Sequence, residues 1–164
     1  MTGTGDMRVL IVEDEVLLAV ELEHMLADAG HSVVGHAMEA DEAIRLASRH
    51  RPDLALVDVH LQDGPTGVET ARTIGADCGA VVLFMTANKQ RLPEDFAGAC
   101  GVISKPYSEH GVRKALQFVA DCLRVGCAGR TPPQGLDIAP AWQARWGLAG
   151  TAGRGGSAAA PLAG

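Results

Sequence analysis

Short apolar runs alternate with segments of helical periodicity through the first 125 residues of this 164-residue chain. The runs are four to six residues long and rich in branched side chains, which predicts buried strands. The segments between them place apolar residues three and four positions apart, which predicts helices. Strands that alternate with helices form a parallel sheet covered on both faces. Predicted strands cover residues 8–12, 31–36, 54–57, 80–84 and 101–104, and predicted helices cover residues 15–29, 40–50, 67–74, 93–99 and 109–124.

The composition changes near Val125 and sets the expected division of the chain. From residue 126 to residue 164, Gly, Ala and Pro supply 23 of 39 residues. Such a stretch buries too little apolar surface to offset the entropy lost on ordering, so we expect it to be mostly disordered. The predicted organisation is an N-terminal extension over residues 1–7, one domain over 8–125 and a tail over 126–164.

One part of the tail is an exception to this expectation. Ile138, Trp142 and Trp146 are spaced four residues apart, which would place them on one face of a short helix. Both tryptophans of the protein lie there. Two interpretations stay open, a docking peptide or a loose tail with incidental tryptophans.

Charge and hydropathy exclude several classes of protein. The 14 Lys and Arg against 20 Asp and Glu give a net charge of -6, which argues against a general nucleic-acid binder. No apolar run approaches the roughly 18 residues of a membrane span, and no signal peptide is visible at the N-terminus. We therefore expect a cytoplasmic protein with no nucleic-acid or membrane partner. The four cysteines show no Cys-x-x-Cys spacing, so we expect reduced thiols.

Polar and charged residues follow the predicted strands at the points where they end. Glu13 and Asp14 follow the first strand, Asp58 the third, Thr86 the fourth and Lys105 the fifth. Because chemistry in such sheets lies outside the carboxyl ends of the strands, these side chains should converge at one edge. Crowded carboxylates repel, and oxygen ligands of this kind suit Mg²⁺. A lysine beside Asp58 would favour the ionised, nucleophilic form of that carboxyl.

The ordered set Glu13-Asp14, Asp58, Thr86 and Lys105-Pro106 resembles the receiver domain of two-component response regulators. The resemblance covers roughly Arg8 to Arg124. It implies a flavodoxin-like α/β fold, a doubly wound five-stranded parallel sheet with strand order 2-1-3-4-5 and helices on both faces.

The resemblance also implies a metal site. Asp14 would be a direct Mg²⁺ ligand, and Glu13 would act largely through water. Asp58 would be a further ligand, together with the backbone carbonyl of His60.

For the phosphoryl group, the resemblance makes Asp58 the acceptor. Thr86 would supply a hydroxyl that moves toward the phosphoryl group, and Lys105 would be its counter-ion. The Lys105-Pro106 peptide bond would be cis, which is seldom accidental in a protein.

The chain departs from the family pattern at several positions. Gly67 lies nine residues after Asp58, one more than in most receivers, which is similar to stand-alone receivers of alphaproteobacteria. Many receivers have an aromatic residue three positions before the lysine, where this chain has Val102. Coupled switching of the threonine and that aromatic therefore cannot operate in its usual form. His60 and Asn88 occupy two positions that tune loss of the phosphoryl group in the family.

The resemblance predicts a stand-alone response regulator, phosphorylated by a sensor histidine kinase or a phosphotransfer protein. Its only chemistry would be self-catalysed transfer and loss of the phosphoryl group, so it would not be a turnover enzyme. Without a second globular domain, output would go through a downstream protein or a homodimer. Two alternatives stay open, a pseudo-receiver scaffold that is not phosphorylated and a small-molecule phosphatase with an aspartate nucleophile. The phosphatases usually carry a second acid two residues after the nucleophile, where this chain has His60.

Overall fold

A computed structural model describes residues 6–150 of the chain. In this part of the chain the strands are β1 (Arg8–Val12), β2 (Ser32–Ala37), β3 (Leu54–Val57), β4 (Val81–Thr86), β5 (Gly101–Ser104) and β6 (Leu136–Ile138). They form one sheet in the order β2-β1-β3-β4-β5-β6. The first five strands are parallel, so the predicted order 2-1-3-4-5 is confirmed, and β6 adds an antiparallel strand at the β5 edge.

The described helices are α1 (Val16–Asp28), α2 (Ala40–His50), α3 (Gly67–Cys78), α4 (Glu109–Arg124) and α5 (Pro140–Trp146). Leu22 of α1 and Val119 of α4 belong to one buried cluster, whereas Ala47 of α2 and Ile74 of α3 belong to another. The two clusters lie on opposite faces of the sheet, because successive side chains of a strand point to opposite faces. Between residues 6 and 150, no helix has the length and apolar character needed to cross a membrane.

Backbone hydrogen bonds hold the carboxyl ends of the strands level with one another. The Asp58 amide donates to the carbonyl of Val12 at 2.9 Å, which ties the end of β3 to the end of β1. The Lys105 amide donates to the carbonyl of Thr86, also at 2.9 Å, which ties β5 to β4. The side chains that follow these strands are therefore fixed at the same edge of the sheet.

The short helix predicted over residues 93–99 is wrong. The segment between β4 and β5 contains two 3-10 turns, Lys89–Arg91 and Phe96–Gly98. Phe96 and Ala97 both have φ of +52°, in the left-handed region, so a right-handed helix cannot continue through them. The Asp95 side chain accepts a hydrogen bond from the Ala97 amide at 2.9 Å and supports this turn instead.

The tail is ordered over its described part, contrary to the expectation of a mostly disordered segment. Residues 126–150 include β6 and α5, and the rest of the predicted tail, residues 151–164, lies outside the described residues. Leu136 and Ile138 of β6 are buried in the cluster that also contains α1 and α4. Two apolar side chains and the free edge of β5 thus order a segment whose composition argues for disorder.

The predicted helical face of the tail is partly wrong. Ile138 belongs to β6, and the helix begins only at Pro140, whose fixed φ and missing amide proton suit the first helical position. Trp142 and Trp146 do lie on the helix, with their rings in an edge-to-face arrangement at a centroid distance of 5.1 Å. Both tryptophans pack against the protein's own core cluster.

A disulfide joins Cys122, in the last turn of α4, to Cys127. The expectation of reduced thiols is therefore wrong for this pair, whereas Cys78 and Cys100 are free and buried. Gly126 has φ of +94°, so the chain reverses directly after the helix and brings the two Cα atoms to 4.8 Å. Because this close approach depends on one turn, the spacing of the cysteines alone does not reveal it.

Gly67 begins α3 directly against the backbone of the loop that carries Asp58. A Cβ atom at position 67 would overlap the Asp58 carbonyl oxygen and crowd Val59. The Gly67 amide donates to the Val59 carbonyl at 2.9 Å, which fixes the helix start against this loop. Gly67 follows the loop that is one residue longer than in most receivers. Its lack of a side chain is thus what lets α3 pack against the Asp58 backbone.

We expect Gly67→Ala to lower the free energy of unfolding by about 1–3 kcal/mol, because backbone must move to admit the methyl group. Gly75→Ala is the matched control, since Gly75 is exposed in the middle of α3 and a Cβ there meets only ordinary contacts. This control should gain up to about 1 kcal/mol from helix propensity. Urea denaturation measures both, and equal effects of the two substitutions would contradict the packing constraint.

Candidate functional site

One ammonium group joins two carboxylates that come from distant parts of the chain. Lys105 Nζ donates to Asp58 Oδ2 at 3.0 Å and to Glu13 Oε2 at 3.1 Å. The side chains of Glu13 and Asp58 are 3% and 10% exposed and that of Lys105 is 17% exposed, so solvent screens these ion pairs weakly. The structure therefore brings together three of the predicted site residues at the ends of β1, β3 and β5.

Asp14 completes an acidic cluster with Glu13 and Asp58. Each of the three side chains offers a carboxylate oxygen, and these oxygens all lie within 4.8 Å of one another. Small side-chain rotations would place these oxygens around one Mg²⁺ ion, a hard cation whose oxygen ligands lie at about 2.1 Å. Three carboxylates face a single ammonium, so the cluster carries excess negative charge that a divalent ion would neutralise. The donor set therefore fits Mg²⁺.

The electrostatics of the cluster appear most clearly at Glu13. Burial, followed by repulsion from Asp58, raises the pKa of Glu13 from 4.5 to about 7. Hydrogen bonds from the Glu15 amide and from Lys105 act in the opposite direction and only partly offset the rise. Burial lowers the pKa of Lys105, but contacts with Asp58 and Glu13 outweigh burial and raise that pKa above its ordinary value. Lys105 is therefore held in its charged form.

The Asp58 carboxylate is held on both oxygens and keeps an edge toward solvent. Oδ2 accepts from Lys105, and Oδ1 accepts from the His60 amide at 3.3 Å. The remaining exposure of this side chain is small, yet the carboxylate is not sealed in the core. A reactant that approaches Asp58 therefore meets the edge of the sheet where the acids and Lys105 lie.

Thr86 and Asn88 are linked directly after β4. Thr86 is buried, and its Oγ1 accepts a hydrogen bond from the Asn88 amide at 3.1 Å. Asn88 itself is exposed at the surface. Val102 lies fully buried on β5, paired with Phe84 of β4. The hydroxyl predicted to act on a phosphoryl group is therefore engaged by backbone in this state.

The Lys105–Pro106 peptide bond is cis, as the resemblance implied. Tyr107 follows it and packs against the cluster that contains α1 and α4. Lys105 directly follows β5, and its side chain reaches Asp58 and Glu13, which follow β3 and β1.

Sequence reasoning missed a histidine that supports the acidic loop. The His36 Nε2–H group donates to the Glu13 carbonyl oxygen at 2.8 Å. The Glu13 amide in turn donates to Ala37 at 2.9 Å, and Glu13 Oε1 accepts from the Glu15 amide at 3.1 Å. The sequence offered one signal for this role, which is that His36 lies near the end of β2, the strand that pairs with β1. Its imidazole therefore positions the backbone of the acidic loop.

Comparison with known proteins identifies the family. The family model described as "Response regulator receiver domain" matches residues 9–117. A transcriptional regulatory protein of Mycobacterium tuberculosis, PdtaR, is 36% identical over 120 residues, which cover 71% of this chain and 58% of that protein. The chain therefore belongs to the response regulator receiver family of two-component systems and spans somewhat more than half the length of this relative.

Two solved structures are also similar. The receiver domain of Erythrobacter litoralis PhyR has a TM-score of 0.64 and 29% identity, over 76% of this chain and 96% of that domain. The receiver domain of the sensor histidine kinase PA1611 from Pseudomonas aeruginosa, solved with magnesium in its active site cleft, has a TM-score of 0.59 and 27% identity. This structural match covers 68% of this chain and 95% of that domain.

The raised pKa of Glu13 gives a pH dependence of stability. The folded state keeps the Glu13 proton up to about pH 7, whereas the unfolded chain releases it near 4.5. The stabilisation is therefore complete below pH 4.5 and is lost as the pH rises through 7. Without divalent ions, we expect wild type to lose about 3 kcal/mol relative to Glu13→Gln over this range. Urea denaturation at several pH values measures the difference, and parallel curves for the two proteins would contradict it.

Proposed function

We propose that this chain is a phosphorylation-switched signalling protein that accepts a phosphoryl group on Asp58. The donor is a phosphohistidine on a sensor histidine kinase or a phosphotransfer protein, and Mg²⁺ is the cofactor. The protein acts in the cytoplasm as a stand-alone response regulator, and its own chemistry is limited to transfer and slow hydrolysis. The observation that carries this proposal is the position of Asp58, between an acidic cluster and the Lys105 ammonium, with its carboxylate open to one edge of the sheet.

In the transfer step, an Asp58 carboxylate oxygen attacks the phosphorus of the donor. An oxygen–phosphorus bond forms as the phosphorus–nitrogen bond of the phosphohistidine breaks, and the histidine leaves in its neutral form after taking up a proton. The transition state spreads negative charge over the equatorial oxygens of the phosphoryl group. Lys105 offsets that charge, and the Thr86 hydroxyl donates to a phosphoryl oxygen after leaving its contact with the Asn88 amide.

Glu13, Asp14, Asp58 and the His60 carbonyl would hold the Mg²⁺ ion. When bound, the ion supplies positive charge to the phosphoryl oxygens. The carboxylate geometry supports this assignment, and so does the similar receiver domain of PA1611, whose structure is described with magnesium in the active site cleft.

The start of α1 is the surface proposed for the phosphohistidine protein. Val16, Leu17 and Val20 are 54%, 79% and 43% exposed and follow the acidic residues directly in the chain. A donor that reaches Asp58 must cover the surroundings of the acidic cluster, so it would bury these side chains. Exposed apolar residues at this position are what a transient protein contact uses.

Two observations weigh against the alternative functions. A scaffold that is never phosphorylated would have no need to gather three carboxylates and an ammonium at one edge of the sheet. A small-molecule phosphatase would use a second acid near the nucleophile, whereas His60 occupies that position and contacts Asp58 through its backbone amide.

Incubation with phosphoramidate and Mg²⁺ tests the acceptor. We expect the intact mass of wild type to increase by one phosphoryl group and that of Asp58→Asn to stay unchanged, because an amide is a poor nucleophile. Asp63→Asn is the matched control, since Asp63 lies in the same loop but is exposed and bonded to Thr66. It should gain mass like wild type. No mass gain in wild type would favour the scaffold alternative.

The lifetime of the phosphoryl group on Asp58 tests the roles of His60 and Asn88. We propose that the side chains of these two residues set the rate of hydrolysis, because their backbone amides bond to Asp58 and Thr86 and so place both side chains beside the acceptor. His60→Ala and Asn88→Ala should each change the half-life of the phosphorylated protein by about two- to tenfold, which is at most about 1.4 kcal/mol in activation free energy. Mass spectrometry after removal of phosphoramidate gives the half-lives, and unchanged values for both variants would remove the hypothesis.

A further inference from the structure

The edge of the sheet nearest the proposed switch is covered by the protein's own C-terminal segment, defined as residues 136–146. β6 pairs antiparallel with β5 and places Leu136, Asp137 and Ile138 opposite Ile103, Val102 and Gly101. The Ala139 amide donates to the Cys100 carbonyl at 2.8 Å. The segment therefore pairs with β5 along its edge.

The helical part of the segment is attached to the chain just before β5. Trp142 donates from its indole nitrogen to the Gly98 carbonyl oxygen at 3.1 Å. Arg145 lies over the ring of the same tryptophan at 4.6 Å from the ring centroid. α5 therefore adds a side-chain anchor to the backbone pairing of β6.

Gly101 leaves room for the backbone of β6. A Cβ atom at position 101 would overlap the Asp137 carbonyl, and its other nearest neighbours, the Asp137 carbonyl carbon and Ile138 Cα, also belong to β6. A side chain here would meet the backbone of the C-terminal segment first. The glycine therefore permits this close docking.

One ion pair connects the segment to the proposed switch. Lys89 Nζ pairs with Asp137 Oδ2, across 48 residues of sequence. Lys89 follows Asn88, whose amide is held by Thr86 Oγ1. A Thr86 hydroxyl that moved toward a phosphoryl group on Asp58 would carry its Oγ1 away from the Asn88 amide. Asn88 and Lys89 would then be free to rearrange.

The base of the segment is held separately. The Cys122–Cys127 disulfide fixes the chain to the end of α4. The Gly129 amide donates to Gly147 at 2.8 Å, and the Ala149 amide donates to Arg130 at 3.0 Å. Both ends of the loop therefore stay together when its middle leaves β5. A loop closed at its base returns to the edge at little entropic cost.

We propose that residues 136–146 are an autoinhibitory cover of the β5 edge, released when Asp58 carries a phosphoryl group. Lys89 and Asp137 transmit the change, in place of the aromatic residue that Val102 replaces. This inference rests on the proposed function, because phosphorylation of Asp58 is its trigger. Release uncovers the unpaired backbone groups of β5, which are a template for binding another strand.

The two tryptophans of the protein both lie in the segment, so fluorescence reports its position. The experiment uses the full chain with Mg²⁺, with and without beryllofluoride, which mimics a phosphoryl group on a carboxylate. For wild type we expect a red shift of tryptophan emission and a roughly twofold increase in acrylamide quenching, as a population shift toward the released state requires. Asp58→Asn should show neither change.

Two surface variants test the link. Lys89→Met and Asp137→Asn remove the ion pair, whose partners are both about half exposed, so folding should be retained. In each variant, the addition of beryllofluoride should cause no further increase in acrylamide quenching. A response as large as that of wild type would overturn the role of this pair.

Gly101→Ala tests the docking without phosphorylation. Its emission should be red-shifted before beryllofluoride is added, whereas the exposed-site control Gly75→Ala should match wild type. A docked emission spectrum in Gly101→Ala would overturn the proposed fit. If circular dichroism shows that this variant does not fold, the wild-type measurement and the surface variants decide.

The phosphoramidate experiment separates failure of the two proposals. A mass gain on Asp58 with no change in tryptophan emission or quenching would overturn the autoinhibitory cover and leave the proposed function in place. No mass gain would overturn the proposed function and remove the trigger of the cover with it.

Discussion

The contact of Lys105 with Asp58 and Glu13 is the interaction on which the rest of the site depends. The lysine lies 47 residues from one carboxylate and 92 residues from the other. The parallel sheet satisfies both contacts because it brings the ends of β1, β3 and β5 to one edge. Without the ammonium, the nearly buried carboxylates would repel each other with little solvent to screen them. The same geometry leaves excess negative charge, which suits the site to a divalent cation and to phosphoryl chemistry.

Much of this arrangement could be predicted from the sequence, because its signals are local. β1, β3, β4 and β5 are built around short apolar runs, and the site residues lie at or just after the ends of these strands. The helix prediction over residues 93–99 was wrong because Phe96 and Ala97 adopt left-handed conformations. No local sequence pattern predicts these conformations. The disulfide was missed for a similar reason, since its cysteines meet only through the turn at Gly126.

The order of residues 126–150 could not be predicted because the contacts that bury β6 are long-range. Leu136 and Ile138 alternate with an exposed aspartate, a strand pattern of only three residues. Their burial depends on the free edge of β5, which composition does not reveal. Gly67 and Gly101 show the same limit, since each allows backbone to approach closely. A sequence shows the glycine but not the segment that packs against it.

Val102 connects the acidic site at the strand ends with the segment that covers the β5 edge. At this position an aromatic side chain would move with Thr86, whereas valine is fully buried and has no polar group to change partner. Its partner across the β5 edge is Asp137, which pairs with Lys89. Val102, which stands where many receivers have the aromatic residue, is thus covered by residues 136–146. The same segment contacts the loop after Thr86. A chain that lacks a mobile ring between its proposed phosphorylation site and β5 can still couple the two, provided that the connection runs outside the sheet, from the Thr86 loop to a segment lying on the edge.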